Sequence, residues 1–270
     1  MMQKTFQYQN AAISYDIYGT GKPVVLLHGF AEDSTIWNNQ VGYLESHCKL
    51  IVPDLPGSGQ SELLQDANEI EDYADCIYAL LTHEEVNSCI TLGHSMGGYI
   101  TLAFAGKYAA KLTGFGLINS TAFADSEEKK LTRKKGIAMM EEYGVLPFIK
   151  NTTPNLFSQQ FKKEHPEVVA ALTEQGKDFS TAALVQYYTA MMNRPDSTEV
   201  LKTSEVPVLF IIGSEDVAAP LNDLLEQVHL PKVSHIHIIE GVGHMSMLEA
   251  PDELNKHLLQ FIEALNLDKV

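Results

Sequence analysis

The sequence predicts an α/β protein: a mostly parallel sheet of about eight strands with helices on both faces, interrupted by a helical cap insertion. Three observations carry this expectation. Short, continuous apolar runs recur at 23–27, 49–53, 89–92 and 206–213, and such runs mark strands buried on both faces. Segments with apolar residues at helical spacing fall between them. The alternation stops over 121–195, where a charged run at 126–135 leads into segments rich in Met, Phe and Tyr with no strand-like pattern. The expected division is therefore a core of residues 1–120 and 196–270, with 121–195 as the cap.

In chain order, 6–9 and 12–18 read as two short strands ended by Gly19, Thr20 and Gly21. The buried strand 23–27 empties into His28, Gly29 and Phe30, followed by a helix over about 35–45 that holds Trp37, the single tryptophan. Strand 49–53 opens onto a turn-rich loop, 54–61. Ile70, Tyr73, Ala74, Ile77, Leu80 and Leu81 then recur at helical spacing between acidic residues. Strand 89–92, a glycine-flanked serine and a further helix follow, then a strand at 114–119. After the insertion come strand 206–213, a helix near 221–228, strand 235–239, and a closing helix begun by Pro251 with Leu254, Leu258, Phe261, Ile262 and Leu265 on one face.

Composition narrows the partners. The chain of 270 residues has 19 Lys and Arg against 35 Asp and Glu, a formal charge of −16, which argues against nucleic acid or an anionic membrane as a partner. Arg133 and Arg194 are the only arginines, so no phosphate-reading cluster is expected. Cys48, Cys76 and Cys89 are odd in number and unpaired in spacing, which suits a reducing compartment. With no apolar leader in the first residues and no run of eighteen apolar residues, the expectation is a cytoplasmic protein. Neither metal nor cofactor is expected: no His pair stands at helix-face spacing, and the glycines at 57 and 59 lack the third glycine of a dinucleotide loop.

The chemistry is concentrated at strand ends. In a parallel sheet, residues just after the strands gather along one edge, where ligands bind. Five such ends carry polar or glycine-rich groups: His28-Gly29-Phe30, Asp54, Ser95, Asp216 and His244. Ser95 sits in Gly93-His94-Ser95-Met96-Gly97, a pentapeptide type that chance places in about one chain in ten of this length, so its partners must carry the case. A serine hydroxyl is a weak nucleophile at neutral pH and needs a base. The base needs an acid to fix its tautomer and stabilise the imidazolium. Ser95, Asp216 and His244 supply nucleophile, acid and base in that chain order. Glu215 competes with Asp216 for the orienting role, while His28, His235 and His237 are weaker rivals as base.

These motifs, in this order over nearly the whole chain, make it resemble the α/β-hydrolase superfamily, specifically its capped serine esterases and related hydrolases. The resemblance implies an oxyanion hole from the backbone N–H groups of Phe30 and Met96, and makes the Asp54 loop a shaping turn. It implies hydrolysis of a carboxylic ester of an apolar or small-to-medium acid through an acyl-enzyme, with a small-molecule ester as partner. His94, Met139, Phe148, Tyr187 and Met191 are candidates to line the substrate pocket, against a purely structural role in which His94 packs the wall and the others pack cap helix on cap helix. Arg194 is a candidate clamp for a substrate carboxylate, against an ion pair with its neighbour Asp196. Alternatives on the same triad are a carbon–carbon bond hydrolase acting on a diketone and a cofactor-free perhydrolase. A peptidase has no acidic cap cluster to capture an amine. Haloalkane dehalogenases and epoxide hydrolases carry an aspartate where Ser95 stands. A triad-retaining small-ligand receptor is the alternative of another class.

Overall fold

The computed structural model describes residues 2–267. Its eight strands are β1 (Met2–Tyr8), β2 (Ala11–Tyr18), β3 (Pro23–Leu27), β4 (Lys49–Pro53), β5 (Cys89–His94), β6 (Leu112–Ile118), β7 (Val208–Gly213) and β8 (Ser234–Ile239). They form one sheet in the order β1-β2-β4-β3-β5-β6-β7-β8. β2 runs antiparallel to both its neighbours, and every pairing from β4 to β8 is parallel.

The apolar runs are strands because both of their faces are covered. Val24 and Leu26 of β3 face one core, together with Leu50, Val52, Ile90, Leu92, Leu209 and Ile211. Val25 and Leu27 face the other, with Ile51, Phe115, Leu117, Phe210 and Ile212. The first core is closed by α1 (Asn38–Leu44) through Val41 and Leu44, and the second by α2 (Ile70–His83) and α3 (Met96–Tyr108) through Tyr73, Ile77, Ile100 and Phe104. The helix expected over 35–45 divides here: a 3-10 turn over Ser34–Trp37 precedes α1, because the Asp33 carboxylate accepts the Thr35 N–H at 2.9 Å and caps a tight first turn.

Between β6 and β7 the chain forms α4 (Glu127–Tyr143), α5 (Val145–Thr152), α6 (Gln159–Glu164), α7 (Pro166–Gln175), α8 (Thr181–Asn193) and α9 (Thr198–Thr203). Then come α10 (Leu221–Leu225), α11 (Ser246–Glu249) and α12 (Pro251–Leu267), whose Leu254, Leu258, Phe261 and Ile262 join the first core. No helix among the described residues is long and apolar enough to cross a membrane.

One buried carboxylate ties the two ends of the β6–β7 excursion together. Asp125, just before α4, accepts from Arg133 Nε at 2.6 Å and from Arg194 Nη1 at 2.9 Å, and its side chain is fully buried. Arg194 lies just after α8, so its partner is this distant aspartate and not Asp196, which caps Thr198 instead. Burial alone would raise the Asp125 carboxyl, but the two guanidinium groups hold it below the usual carboxylate range. A depressed value means that its stabilisation is fully present above about pH 4 and is lost as pH falls through the folded value. Asp125→Asn leaves two buried guanidiniums without a counter-charge, so it is expected to lower stability by about 3–5 kcal/mol at pH 7. Urea unfolding at pH 7 and pH 3 checks this, with the gap to the unaltered protein narrowing at pH 3.

Candidate active site

The site begins with backbone strain. Ser95, between β5 and α3, has φ 51° and ψ −115°, a conformation that costs a side-chain-bearing residue about 1–3 kcal/mol. Close packing around it enforces the turn. A Cβ on Gly93 would lie 2.1 Å from the Gly97 carbonyl oxygen, one on Gly97 2.3 Å from the Leu27 carbonyl oxygen, and one on Gly98 2.2 Å from Ser120 Oγ. Only glycine at these positions lets β5, α3 and β3 approach so closely. The turn is tied by Ser95 N–H to the Ile118 carbonyl (3.1 Å) and by Ser120 Oγ–H to the Ser95 carbonyl (2.7 Å). Met96 opens α3, so its N–H is among the donors that a helix leaves without an internal partner, at the end where the dipole favours negative charge. Phe30 follows β3 in the neighbouring loop.

Asp216 and His244 follow β7 and β8 and meet at 2.8 Å, His244 Nδ1–H donating to Asp216 Oδ2. With its proton on Nδ1, the imidazole carries its basic lone pair on Nε2, the state a general base requires. Asp216 Oδ1 accepts the N–H groups of Ala218 and Ala219 at 2.8 and 2.9 Å, and Oδ2 also accepts Asn119 Nδ2 at 3.1 Å. Burial would raise this carboxyl, but His244 and these donors hold it below the usual range. Glu215, the competitor for this role, is exposed to solvent. The His244 ring lies 4.8 Å from the ring of His94, the residue before Ser95, which sets the histidine beside the elbow.

Several residues of the site escaped the strand-end reading. Asn119, at φ 48° just after β6, donates to both Asp216 and the Gly243 carbonyl (3.0 Å) and accepts from Ser246 Oγ (2.6 Å). Its place just after a central strand is a signal, though a carboxamide there has no chemistry of its own until its partner is seen. Glu249 has no such signal: its carboxylate gathers the N–H groups of Gly243, Met245 and Ser158 at 2.9–3.2 Å. Asp54 accepts Ser34 N–H and Gln60 N–H at 2.9 and 2.8 Å and so shapes its loop.

The candidate pocket residues separate into two groups. His94 is fully buried, with both ring nitrogens bonded within the protein, to Glu32 and to the His244 carbonyl. Tyr187 is also fully buried, its hydroxyl bonded to Ser58 Oγ and the Pro56 carbonyl, both at 2.7 Å. Neither presents a free polar atom to a ligand. Met191 is buried as well, and its carbonyl accepts Arg194 Nη1. Phe148 lies edge-on to Phe30 at 6.1 Å, and Met139 is half-buried. Tyr188, which the sequence reading passed over in favour of Tyr187, stacks directly on Phe30 at 4.3 Å. Arg194 is taken up by Asp125 and by the Tyr99 ring, 3.8 Å from its guanidinium carbon. Among the described residues no group of three or more His, Cys, Asp or Glu is placed to hold a metal ion.

Residues 24–257 match the model of the alpha/beta hydrolase family. The chain is 23% identical over 273 residues to (E)-2-((N-methylformamido)methylene)succinate hydrolase of Acinetobacter baylyi, covering 97% of this chain and 99% of that protein. It is 26% identical over 272 residues to a non-heme haloperoxidase of Rhodococcus erythropolis, covering 93% and 96% respectively. Among solved structures, a thermophilic esterase from Thermogutta terrifontis, with malate bound, superposes with a TM-score of 0.92 at 27% identity, over 98% of this chain and 99% of that one. An enol-lactonase from Burkholderia xenovorans superposes at 0.89 with 21% identity, over 96% and 100%.

Removal of the Asn119 amide tests how far the acid depends on it. Asn119→Ala strips one donor from Asp216 and strands the Gly243 carbonyl and the Ser246 hydroxyl. The expected cost is about 1–3 kcal/mol in urea unfolding.

Proposed function

The chain belongs to the α/β-hydrolase family, and from this premise we propose that it is a serine hydrolase that cleaves a carboxylic ester through an acyl-enzyme. The observation that carries the proposal is the bonded Asp216–His244 pair beside the strained Ser95 elbow. In this reading His244 Nε2 takes the proton from Ser95 Oγ as it attacks the ester carbonyl. The oxyanion forms against the N–H groups of Met96 and Phe30, donors fixed before the charge develops. His244 then returns the proton to the leaving alcohol. Water, deprotonated by the same nitrogen, attacks the acyl-enzyme and releases the acid, restoring Ser95. Asp216 stays ionised throughout and holds the imidazole in place.

The substrate we infer is an ester of an apolar, small-to-medium acid. Phe30, Phe148 and Tyr188 form a ring cluster at the oxyanion loop, and Met139 is half-buried on α4. Flat apolar walls of this kind reward an acyl chain by area and supply little to pair with a charge. Residues 121–195 act in this reading as the cap that closes the site. Likeness to a non-heme haloperoxidase favours a perhydrolase as the second reading: hydrogen peroxide takes the place of water in the second step and the product is a peracid.

Ser95→Ala is expected to lower kcat on p-nitrophenyl butyrate by at least about 10⁴-fold, with the folded state intact by circular dichroism. Full retention of turnover removes the serine mechanism. Rates on p-nitrophenyl esters should fall from butyrate to palmitate, and product analysis with hydrogen peroxide present separates peracid from free acid.

A further inference from the structure

Behind the triad lies a second acid–histidine pair, Glu32 and His94, that the proposed mechanism does not use. One oxygen, Glu32 Oε2, meets both the Gly29 N–H at 2.7 Å and His94 Nδ1 at 3.0 Å. The other nitrogen, His94 Nε2, lies 3.0 Å from the carbonyl oxygen of His244. Both side chains are almost wholly buried, and the Trp37 ring sits edge-on to His94.

Hydrogen-bond chemistry fixes what this arrangement must be. A carbonyl oxygen only accepts, so His94 Nε2 carries a hydrogen. Nδ1 faces a carboxyl oxygen that already receives the Gly29 N–H, so the contact holds one proton between His94 and Glu32. That second acceptance by Oε2 favours the carboxylate with an imidazolium. Burial opposes the charge on both groups, yet each overcomes it through the other: Glu32 is held below the ordinary carboxylate range and His94 above the ordinary imidazole value. The two charges cancel in the net charge of the pair. What it adds is a chain of hydrogen bonds, each 2.7–3.0 Å, between three segments. Gly29 precedes Phe30 in the oxyanion loop, His94 precedes Ser95, and the His244 carbonyl belongs to the base.

The contact is as close as the backbone allows. A Cβ on Gly29 would stand 2.9 Å from His94 Nδ1 and 3.0 Å from Glu32 Oε2, so residue 29 must lack one for the pair to close. Ala31, between Phe30 and Glu32, has φ 56°. A strained, side-chain-bearing residue persists only where its surroundings over-determine it, and Glu32 is the adjacent anchor. We propose that Glu32 is a positioning residue which, through Gly29 and His94, holds the oxyanion loop, the nucleophile elbow and the base in mutual register. It touches no substrate and acts by setting where the Phe30 N–H and the His244 ring stand. This inference rests on the serine-hydrolase reading of the same site.

Glu32→Gln is the informative change, because it keeps the shape and removes the charge. An amide oxygen at the Oε2 position still accepts from Gly29, but His94 must then either remain an unpaired buried imidazolium or turn a lone pair toward the His244 carbonyl. Donors displaced by a fraction of an ångström weaken transition-state binding more than substrate binding. With p-nitrophenyl butyrate as substrate, kcat is expected to fall on the order of 10- to 100-fold while KM changes less than about threefold. Affinity for an alkyl trifluoromethyl ketone, which forms the tetrahedral adduct, should fall in parallel with kcat, and affinity for the butyrate product should not. Titration of active sites with a fluorophosphonate counts folded, competent molecules, so kcat is taken per site. Glu32→Asp keeps the charge one methylene short and should fall between the two; it serves as the test if Glu32→Gln yields no folded protein. Normal kcat per titrated site and normal ketone affinity in the folded variant overturn the proposal. So does a loss of kcat that disappears once competent sites are counted, since that is a folding defect alone. Ser95→Ala run beside them separates the cases: if it retains turnover, the serine mechanism itself has failed, whatever Glu32→Gln does.

Discussion

Ser95 can hold φ 51° only because three backbones cross at van der Waals distance around it. The absent side chains of Gly93, Gly97 and Gly98 are the condition for that crossing, since a Cβ on any of them would lie within 2.3 Å of a neighbouring oxygen. The neighbours that would be struck are the Gly97 carbonyl, the Leu27 carbonyl and Ser120 Oγ, which belong to the elbow, β3 and the end of β6. The same packing that forces the serine outward therefore fixes the heights of the two flanking strands. With β3 placed, His28 and the loop behind it follow, and with β6 placed, Asn119 can reach Asp216. Strain at one residue and the register of the sheet's centre are a single constraint.

Buried charge is handled by a second rule, the same in three places. Glu32, Asp125 and Asp216 are all carboxylates withdrawn from water, and each is depressed against the pull of desolvation by its own buried cation or histidine. A protein with a surplus of sixteen negative charges gives each of these three acids its own cation or histidine. Each of the three also links segments far apart in sequence, because only long-range contacts can bring a matching donor to a buried acid. Asp125 joins the start and end of 121–195, Asp216 joins the ends of β6 and β8, and Glu32 joins the loop after β3 to the turn at Ser95.

That distinction explains what could be read from the sequence. Strands buried on both faces announce themselves as unbroken apolar runs, and the elbow, with its following acid and histidine, announces itself through chain order. These are local patterns, and the eight-stranded sheet followed from them. Partnerships were not local. Arg194 was paired with its neighbour Asp196 by proximity, but its partner lies 69 residues away. Tyr187 and Tyr188 are adjacent and chemically alike; which one stacks on Phe30 and which one seals its hydroxyl onto the 54–61 loop depends on a helix rotation of about 100° that spacing alone cannot phase. Asn119 lies between: its strand end was visible, but a carboxamide there has no obvious chemistry until Asp216 is seen to need a donor.

The helices of 121–195 are held to the sheet by contacts of unequal strength. Beside His244, hydrogen bonds join 121–195 to the rest of the chain: His244 N–H donates to the Leu156 carbonyl at 2.7 Å, and Ser158 N–H to the Glu249 carboxylate at 2.9 Å. A Cβ on Gly243 would strike the Leu156 carbonyl at 2.7 Å, so the two chains also interlock sterically. At the two ends of 121–195, Asp125 and the two arginines add a buried ionic clasp. At the loop after β3, Phe30, Phe148 and Tyr188 meet through ring faces and edges, and the Arg133 guanidinium lies over the Tyr188 ring at 4.9 Å. Ring contacts of about 0.5–1.5 kcal/mol each yield far more readily than a buried clasp or a backbone bond. The attachment of 121–195 to the sheet is therefore stiffest at Asp125 and at His244, and softest where the rings of Phe30, Phe148 and Tyr188 meet.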